Sequence, residues 1–357
     1  MGIVRYATTY AFRRLFQVIY HVTFRCNAKC SFCFNLDQLN KRLDEELSVE
    51  EVDRFTRSLP RFEWLMISGG EPFLRPDLPD LLAKFASHNK VKHVTVPTNA
   101  IAQDRVLRAV PEILKGCPEQ SVSVVLSLDA IGKLHDDMRG VPGTFDKVLS
   151  LYEALSSIKR ENPRLSVKIE TVISDDNIEC LDEVIEFVDR LGPDLHILDL
   201  VRGGFSGWQQ HFEAHYDIEK VIAHSFEVLR KSRGYSSLNE HVPLLAKVSK
   251  TVQASYFRML PRLVEGKRNV KCLAGRMTLV LYPRGDVSSC EVLPAVANVR
   301  DFGLDYRQVL GSEPFRKQID ALRKNKCICF HPCYQTVNIL FSPKLLLKAI
   351  LKGEASG

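Results

Sequence analysis

The chain has 357 residues, 45% of them hydrophobic and 26% charged, with a net charge of +6. That length and composition exclude a disordered or fibrous chain and fit one large domain plus a small one. No apolar run reaches the length of a membrane span, the N-terminus lacks the apolar core of a secretion signal, and no Lys/Arg block marks a nucleic-acid arm. The expectation is a cytoplasmic protein that does not bind nucleic acid.

The first 230 residues alternate β-rich runs with amphipathic helical runs. Residues 16–24 predict a strand, and Ser48 with Glu51 predicts a capping box that opens a helix running to about residue 59. Strands follow over 63–68, 91–98, 121–129, 165–173 and 194–201. Between them lie helices over about 78–88, 103–115, 144–160 and 179–191, and a long helical stretch starts near residue 208. Six strands, each followed by a helix, predict an α/β fold with a parallel sheet and crossover helices on one side. In such sheets ligands bind at the C-terminal ends of the strands. The expected organisation is a sheet domain over 1–233, a helical linker over 234–271, a small domain over 272–335 and a tail over 336–357. In the small domain, MTLVLYPRGDVSSCEVL predicts a β-hairpin turning at Pro283 to Asp286, and a polar helix follows over about 313–325.

Ten cysteines without a secretion signal read as metal ligands rather than as a disulfide framework. Cys117 and Cys180 stand alone and read as inert apolar side chains. Cys26, Cys30 and Cys33 share one short loop after the first strand. Three thiolates leave one position of a tetrahedral metal site without a protein ligand, which lets it bind a small molecule. Strand two ends in Ser68-Gly69-Gly70-Glu71-Pro72, where paired glycines allow close backbone approach, free N–H groups can bind a polar ligand head, and Glu71 can accept from an ammonium group. Strand three ends in Thr98-Asn99, strand four in Ser127-Leu128-Asp129, and Arg139-Gly140 follows. Polar residues thus recur at strand end after strand end.

The cysteine triplet with Phe32 before its third member resembles the signature of the radical S-adenosylmethionine (radical SAM) superfamily, as does its distance to Gly69-Gly70-Glu71-Pro72. The stretch from Ser127 through Arg139 to Phe145 is similar to the branch that carries a C-terminal SPASM or twitch domain. The resemblance implies a partial (βα)6 TIM-like barrel with a small hairpin-and-helix iron–sulfur domain. It implies that Cys26, Cys30 and Cys33 hold a 4Fe–4S cluster whose fourth iron is chelated by S-adenosylmethionine. A low-potential donor such as flavodoxin or ferredoxin then supplies the electron that cleaves the sulfonium. The resulting 5′-deoxyadenosyl radical abstracts hydrogen from an unactivated carbon. By the same resemblance the glycine motif holds the methionyl amine with Glu71 in support, and Thr98 or Asn99 approaches the ribose or carboxylate. Ser127 and Arg139 lie near the methionine end, and Ile173 packs on the adenine.

Cys272, Gly285 and Cys290 resemble the opening half of a SPASM pattern, but the closing half has only Cys327, Cys329 and Cys333. Five cysteines fill one four-ligand cluster and leave one over. The expectation is a twitch-like domain with one auxiliary 4Fe–4S cluster on Cys272, Cys290 and two of the last three, a zinc site being the alternative. His331 is a candidate ligand that reads more readily as a surface histidine. In the tail, Lys344, Lys348 and Lys352 form a lysine stripe among leucines, a pattern fit either to dock on the barrel or to lie on a membrane surface.

Three functions compete. The first is a radical SAM oxidoreductase or isomerase that oxidises or epimerises a small polar, sugar-like or lipid-linked substrate, with Cys117, Cys180 or the spare C-terminal cysteine as hydrogen donor only if directed into the barrel. The second is a peptide-modifying SPASM enzyme, disfavoured because the triplet begins at residue 26 and leaves no room for an N-terminal recognition extension. The third is a non-catalytic iron–sulfur or zinc regulatory protein.

Overall fold

The computed structural model describes residues 14–201, 243–265, 267, 270–324, 329, 331–345 and 347. The helix expected from residue 208, the N-terminal stretch through Arg13, Cys327, Lys348 and Lys352 lie outside the described residues.

Six parallel strands run in the order of the chain: β1 (Gln17–Thr23), β2 (Trp64–Gly69), β3 (His93–Thr98), β4 (Ser121–Ser127), β5 (Leu165–Ile173) and β6 (His196–Leu200). Helices α1 (Val49–Ser58), α2 (Leu78–Asn89), α3 (Gln103–Gly116), α5 (Thr144–Glu161) and α6 (Leu181–Leu191) make the crossovers. The Ser48–Glu51 capping box forms as expected, with Ser48 Oγ accepting from Glu51 N–H and Glu51 from Ser48 N–H. One further short helix, α4 (Lys133–Arg139), was not expected.

Strand alternation sorts the side chains. Val18, Tyr20 and Val22 of β1, Leu65 and Ile67 of β2, Val94 and Val96 of β3, and Val122, Val124 and Leu126 of β4 enter the core beneath the helices. Their neighbours Ile19, Met66, Thr95, Ser123, Lys168 and Asp199 line a cavity on the opposite face. Parallel strands covered on both faces usually read as continuous apolar runs. Here the inner face is partly polar, so the barrel keeps an open interior of about 310 Å³ instead of a packed one.

The C-terminal region continues this sheet. β7 (Thr278–Leu281) pairs in parallel with β1 in the register Gln17↔Thr278 to Tyr20↔Leu281. β8 (Asp286–Ser288) and β9 (Ala297–Asn298) extend it antiparallel, which gives, among the described residues, nine strands in the order β6-β5-β4-β3-β2-β1-β7-β8-β9. The expected hairpin is therefore built onto the edge of the barrel. The stretch expected to link the two parts holds α7 (Pro243–Val264), whose Val252, Tyr256, Met259 and Leu260 pack against Ile173, Leu198 and Leu200 at the opposite edge. Helices α8 (Tyr306–Gly311), α9 (Glu313–Lys324) and α10 (Pro332–Leu340) complete the described structure.

Candidate active site

Three turns of backbone converge where β1, β2 and α4 end. The loop carrying Cys26, Cys30 and Cys33 is bracketed by Asn40, whose Oδ1 accepts from Cys26 N–H at 3.0 Å and whose Nδ2 donates to Cys26 O at 3.1 Å. Its middle is tied to α4, because Lys29 N–H donates to Arg139 O at 2.9 Å. Gly69 and Gly70 let the end of β2 press onto this loop. Gly69 has φ +127°, and a Cβ there would lie 2.2 Å from Thr23 O; at Gly70 it would lie 2.1 Å from Arg25 O. Only glycine fits either place. The contact is closed by Gly70 N–H to Thr23 O at 2.8 Å and Glu71 N–H to Arg25 O at 2.7 Å. This revises one expectation: these two N–H groups are engaged in backbone bonds and do not wait for a ligand. An ammonium group is in any case a donor and needs oxygens.

Glu71 is buried at the centre, with Oε2 accepting from Asn99 N–H at 2.7 Å and Oε1 from Phe73 N–H at 3.2 Å. Burial pushes its carboxyl up to about 7, against the pull of these hydrogen bonds. Glu71 thus clamps the ends of β2 and β3 together. The Asn99 side chain turns to the triplet: Nδ2 donates to Asn27 Oδ1 at 2.8 Å and lies 3.9 Å from Cys26 Sγ. Thr98 Oγ1 accepts from Ala100 N–H at 3.1 Å, which shapes the same turn.

Arg139 closes the third side. Its Nε and Nη2 bond Asp129 Oδ2 at 2.7 and 2.5 Å, its Nη1 lies 3.7 Å from Cys30 Sγ, and its guanidinium stands 5.4 Å from the centre of the Phe32 ring. Asp129 is fully buried and also accepts from Val172 N–H at 3.0 Å. The guanidinium pKa is raised: the Asp129 carboxylate and the Cys30 sulfur together outweigh a burial penalty that alone would lower it. Ser127, Pro72, Thr98 and Asn99 border the same cavity as the triplet.

Ile173 does not. It is fully buried among Leu181, Ile185, Leu198 and Leu200, and Val172 is the β5 residue that faces the cavity there. One step along a strand reverses the face. Neither Cys117 nor Cys180 lines the cavity, so neither is placed to donate hydrogen within it. Burial in the core holds the Cys117 thiol up at about 11, consistent with an inert side chain.

The described C-terminal cysteines, Cys272, Cys290, Cys329 and Cys333, gather in one packed cluster with Ile19, Ala274 and Tyr334. Tyr334 Oη accepts from Glu291 N–H at 2.9 Å, and Gln17 Nε2 donates to Cys333 O at 3.2 Å, so both barrel and hairpin hold them. His331 departs from expectation: it is buried, 3% exposed, at the start of α10.

The inner wall also carries Lys168 and Glu170 on β5, Asp199 on β6, His93 on β3 and Glu291 after β8. None was expected as a site residue. Their signal was partial: a lysine and a glutamate two apart inside the apolar run LSVKIETVI share one face of the strand. Burial pushes the Lys168 ammonium down to about 8.

A model of the radical SAM superfamily matches residues 20–188, the stretch from β1 to α6 that builds the triplet, Glu71 and Arg139. The chain carries a radical SAM domain. Among curated relatives, the AdoMet-dependent heme synthase of Methanosarcina barkeri is 26% identical over 333 residues, covering 87% of each chain. The mycofactocin maturase MftC of Mycolicibacterium smegmatis is 28% identical over 282 residues, covering 76% of this chain and 63% of its own. Across the curated relatives reported first, the match spans between 41% and 87% of the relative's length. Streptococcus suis SuiB, solved with its precursor peptide SuiA, shares the fold with a TM-score of 0.58 at 19% identity, over 94% of this chain and 75% of its own. The radical SAM family works with a 4Fe–4S cluster and S-adenosylmethionine, and its SPASM-type members carry auxiliary clusters in a C-terminal extension such as the one described above.

The triplet loop fits such a cluster chemically. Cys26, Cys30 and Cys33 border one cavity from a single loop, and burial, which raises the Cys26 thiol to about 11 and the Cys33 thiol in the same direction, means that their thiolate forms would depend on a bound cation. Asn99 Nδ2 and Arg139 Nη1 point N–H groups at two of the sulfurs, as electron-rich thiolate ligands require.

Proposed function

We propose that this radical SAM chain oxidises or epimerises a small polar substrate at an unactivated C–H bond inside the barrel. Cys26, Cys30 and Cys33 would hold the cluster. Once bound, the cluster and S-adenosylmethionine would supply a 5′-deoxyadenosyl radical for hydrogen abstraction, with the electron drawn from a low-potential donor such as flavodoxin or ferredoxin. Glu71 and Asn99 fix the turn beneath the cofactor, and Arg139 stabilises charge on Cys30. Gly69, Gly70, Thr98 and Ser127 border the space for the methionine and ribose. The observation that carries the reading is the convergence of the three thiols, Glu71 and Arg139 on one cavity.

The polar substrate is supported by the charged side chains of Lys168, Glu170 and Asp199 on the cavity wall, since a few polar groups on a pocket wall are what fix and select a polar guest. Cys272, Cys290 and two of Cys327, Cys329 and Cys333 would hold the auxiliary cluster. The test is to purify the chain without oxygen, reduce it, add S-adenosylmethionine and measure 5′-deoxyadenosine. A cluster-replete sample that forms none sinks the enzyme reading and leaves a non-catalytic metal protein.

A peptide substrate is the second reading, favoured by the similarity to a mycofactocin maturase over three quarters of the chain. Deuterium transfer into 5′-deoxyadenosine separates the two. Label arriving from a deuterated small-metabolite fraction supports the first reading, and label arriving only from a deuterated peptide fraction supports the second.

A further inference from the structure

A ligand amine at the end of β2 donates hydrogen bonds, so it needs an oxygen there. The Gly70 and Glu71 N–H groups cannot serve it, since both are donors already bound to the triplet loop. Asn35, two residues past Cys33, brings an acceptor to this place. We infer that Asn35 Oδ1 accepts a hydrogen bond from the methionyl amine of S-adenosylmethionine, which makes Asn35 a cofactor-binding residue of this chain.

The amide is oriented by its neighbours. Asn35 Nδ2 donates to Gly69 O at 2.9 Å. A carbonyl oxygen only accepts, so the atom on Gly69 is the amide nitrogen and the other atom is the amide oxygen. That oxygen is buried and has no hydrogen-bond partner among the described residues. Asn35 is 1% exposed and borders the same cavity as Cys33, Gly69 and Gly70. A buried amide oxygen left without a donor is destabilising, and a ligand in the cavity can supply one.

The backbone of Asn35 is fixed as well. Its carbonyl accepts from Gln38 N–H at 2.8 Å and from Leu39 N–H at 3.2 Å, which closes the turn after the triplet. Burial raises the Cys33 thiol, and a hydrogen bond from the Asn35 N–H works against it. Asn35 thus joins the third cysteine to the end of β2, and Oδ1 is held in place before any ligand arrives.

The polarity of the loop matches an amino-acid head. Arg139 brings an N–H donor to the Cys30 sulfur, and Asn35 brings an acceptor beside Cys33. The methionyl group carries one amine and one carboxylate, so its amine fits the Asn35 side and its carboxylate the Arg139 side. The inference rests on the proposed seat of the cluster and cofactor at the triplet. It adds to that seat a residue that neither the cysteine spacing nor the glycine motif contains.

The test measures binding to the full chain, loaded with clusters and kept oxidised without oxygen, so that no turnover enters the readout. The two probes are S-adenosylmethionine and its desamino analogue, in which hydrogen replaces the amino group. Asn35→Ala should weaken S-adenosylmethionine about tenfold and leave the analogue within about twofold of its affinity for the unaltered chain. Iron and sulfide content show that the variant is loaded. An Asn35→Ala chain that binds S-adenosylmethionine as tightly as the unaltered chain overturns the inference. So does one that loses the same factor for both probes, which would make Asn35 only a prop for the loop. A crystal structure of the unaltered chain with S-adenosylmethionine needs no variant and decides the matter if Asn35→Ala does not load. The amine nitrogen should lie within hydrogen-bond distance of Asn35 Oδ1, and an amine out of that reach overturns the inference. Failure of the proposed function reads out separately, as absent 5′-deoxyadenosine from the reduced, unaltered chain.

Discussion

The two cysteine regions are built in opposite ways. Cys26, Cys30 and Cys33 sit in one loop whose shape is set by backbone: Asn40 brackets it, Gly69 and Gly70 press on it, and α4 pins its middle. The C-terminal cysteines come from separate segments and are gathered by side-chain packing around Ile19 and Tyr334. A site made by one loop is encoded in spacing. A site made by packing is encoded in the whole fold, and its ligands are not fixed by spacing alone.

Substituting one cysteine in each region should expose that difference most sharply. Cys30→Ala removes one of the three thiols proposed to hold the cluster that would bind S-adenosylmethionine, so 5′-deoxyadenosine formation should fall to background. Cys290→Ala should spare cleavage uncoupled from substrate and impair product formation, if the auxiliary centre takes part in the redox chemistry. Chromatography of both products separates the outcomes. Equal loss of cleavage in the two variants would mean that the regions fold and load as one unit.

The same contrast explains what was legible in the sequence. The six strands were readable because each is a short β-rich run closed by polar residues, and the strand ends led to Glu71, Asn99 and Ser127. Helix α4 was missed because Lys133–Arg139 is only seven residues between Gly132 and Gly140, too short for a periodic apolar face. Ile173 was misplaced by strand parity, a matter of one residue. His331 reads as a surface histidine beside Pro332, but the structure buries it against the Tyr334 ring and near Glu291, a residue far away in sequence. Lys168 and Glu170 were passed over because charged residues inside a strand look like a solvated face until the sheet is known to curve around them.

Next in size should be the buried pair behind the triplet. Arg139→Met leaves Asp129 charged, fully buried and short of its partner, at a cost of about 3–5 kcal/mol. It also removes the N–H near Cys30 Sγ. Chemical denaturation and iron content should therefore fall together. A variant that loses stability but loads the first cluster normally would show that the loop holds its shape without α4, against the comparison drawn above.

Gly70→Ala probes the loop from the other side. Its Cβ would stand 2.1 Å from Arg25 O, a backbone atom that cannot swing away. Relief requires parting β2 from the triplet loop, and destabilisation of about 2–4 kcal/mol is expected, with loss of iron at the triplet. Acid-labile sulfide in the C-terminal site should survive if the two regions are as independent as their construction implies.

The smallest expected effect is a pH dependence that belongs to the barrel. Burial depresses His93 to about 3 and His135 to about 4, so both are neutral in the folded chain throughout the useful range. In the unfolded chain each titrates near 6.5. Below that pH the unfolded state takes up protons that the folded state refuses. Their contribution to stability is whole above about 6.5 and is lost as the pH falls toward 3–4. Each histidine should remove up to about 1.4 kcal/mol of stability per pH unit in that window. His93→Asn, which keeps a polar group near Ser121 Oγ at the base of the cavity, should cut the histidine part of the acid slope by about half between pH 6.5 and 5. Urea midpoints across that range give the slope directly. An unchanged slope would mean that the acid-sensitive groups lie elsewhere in the chain.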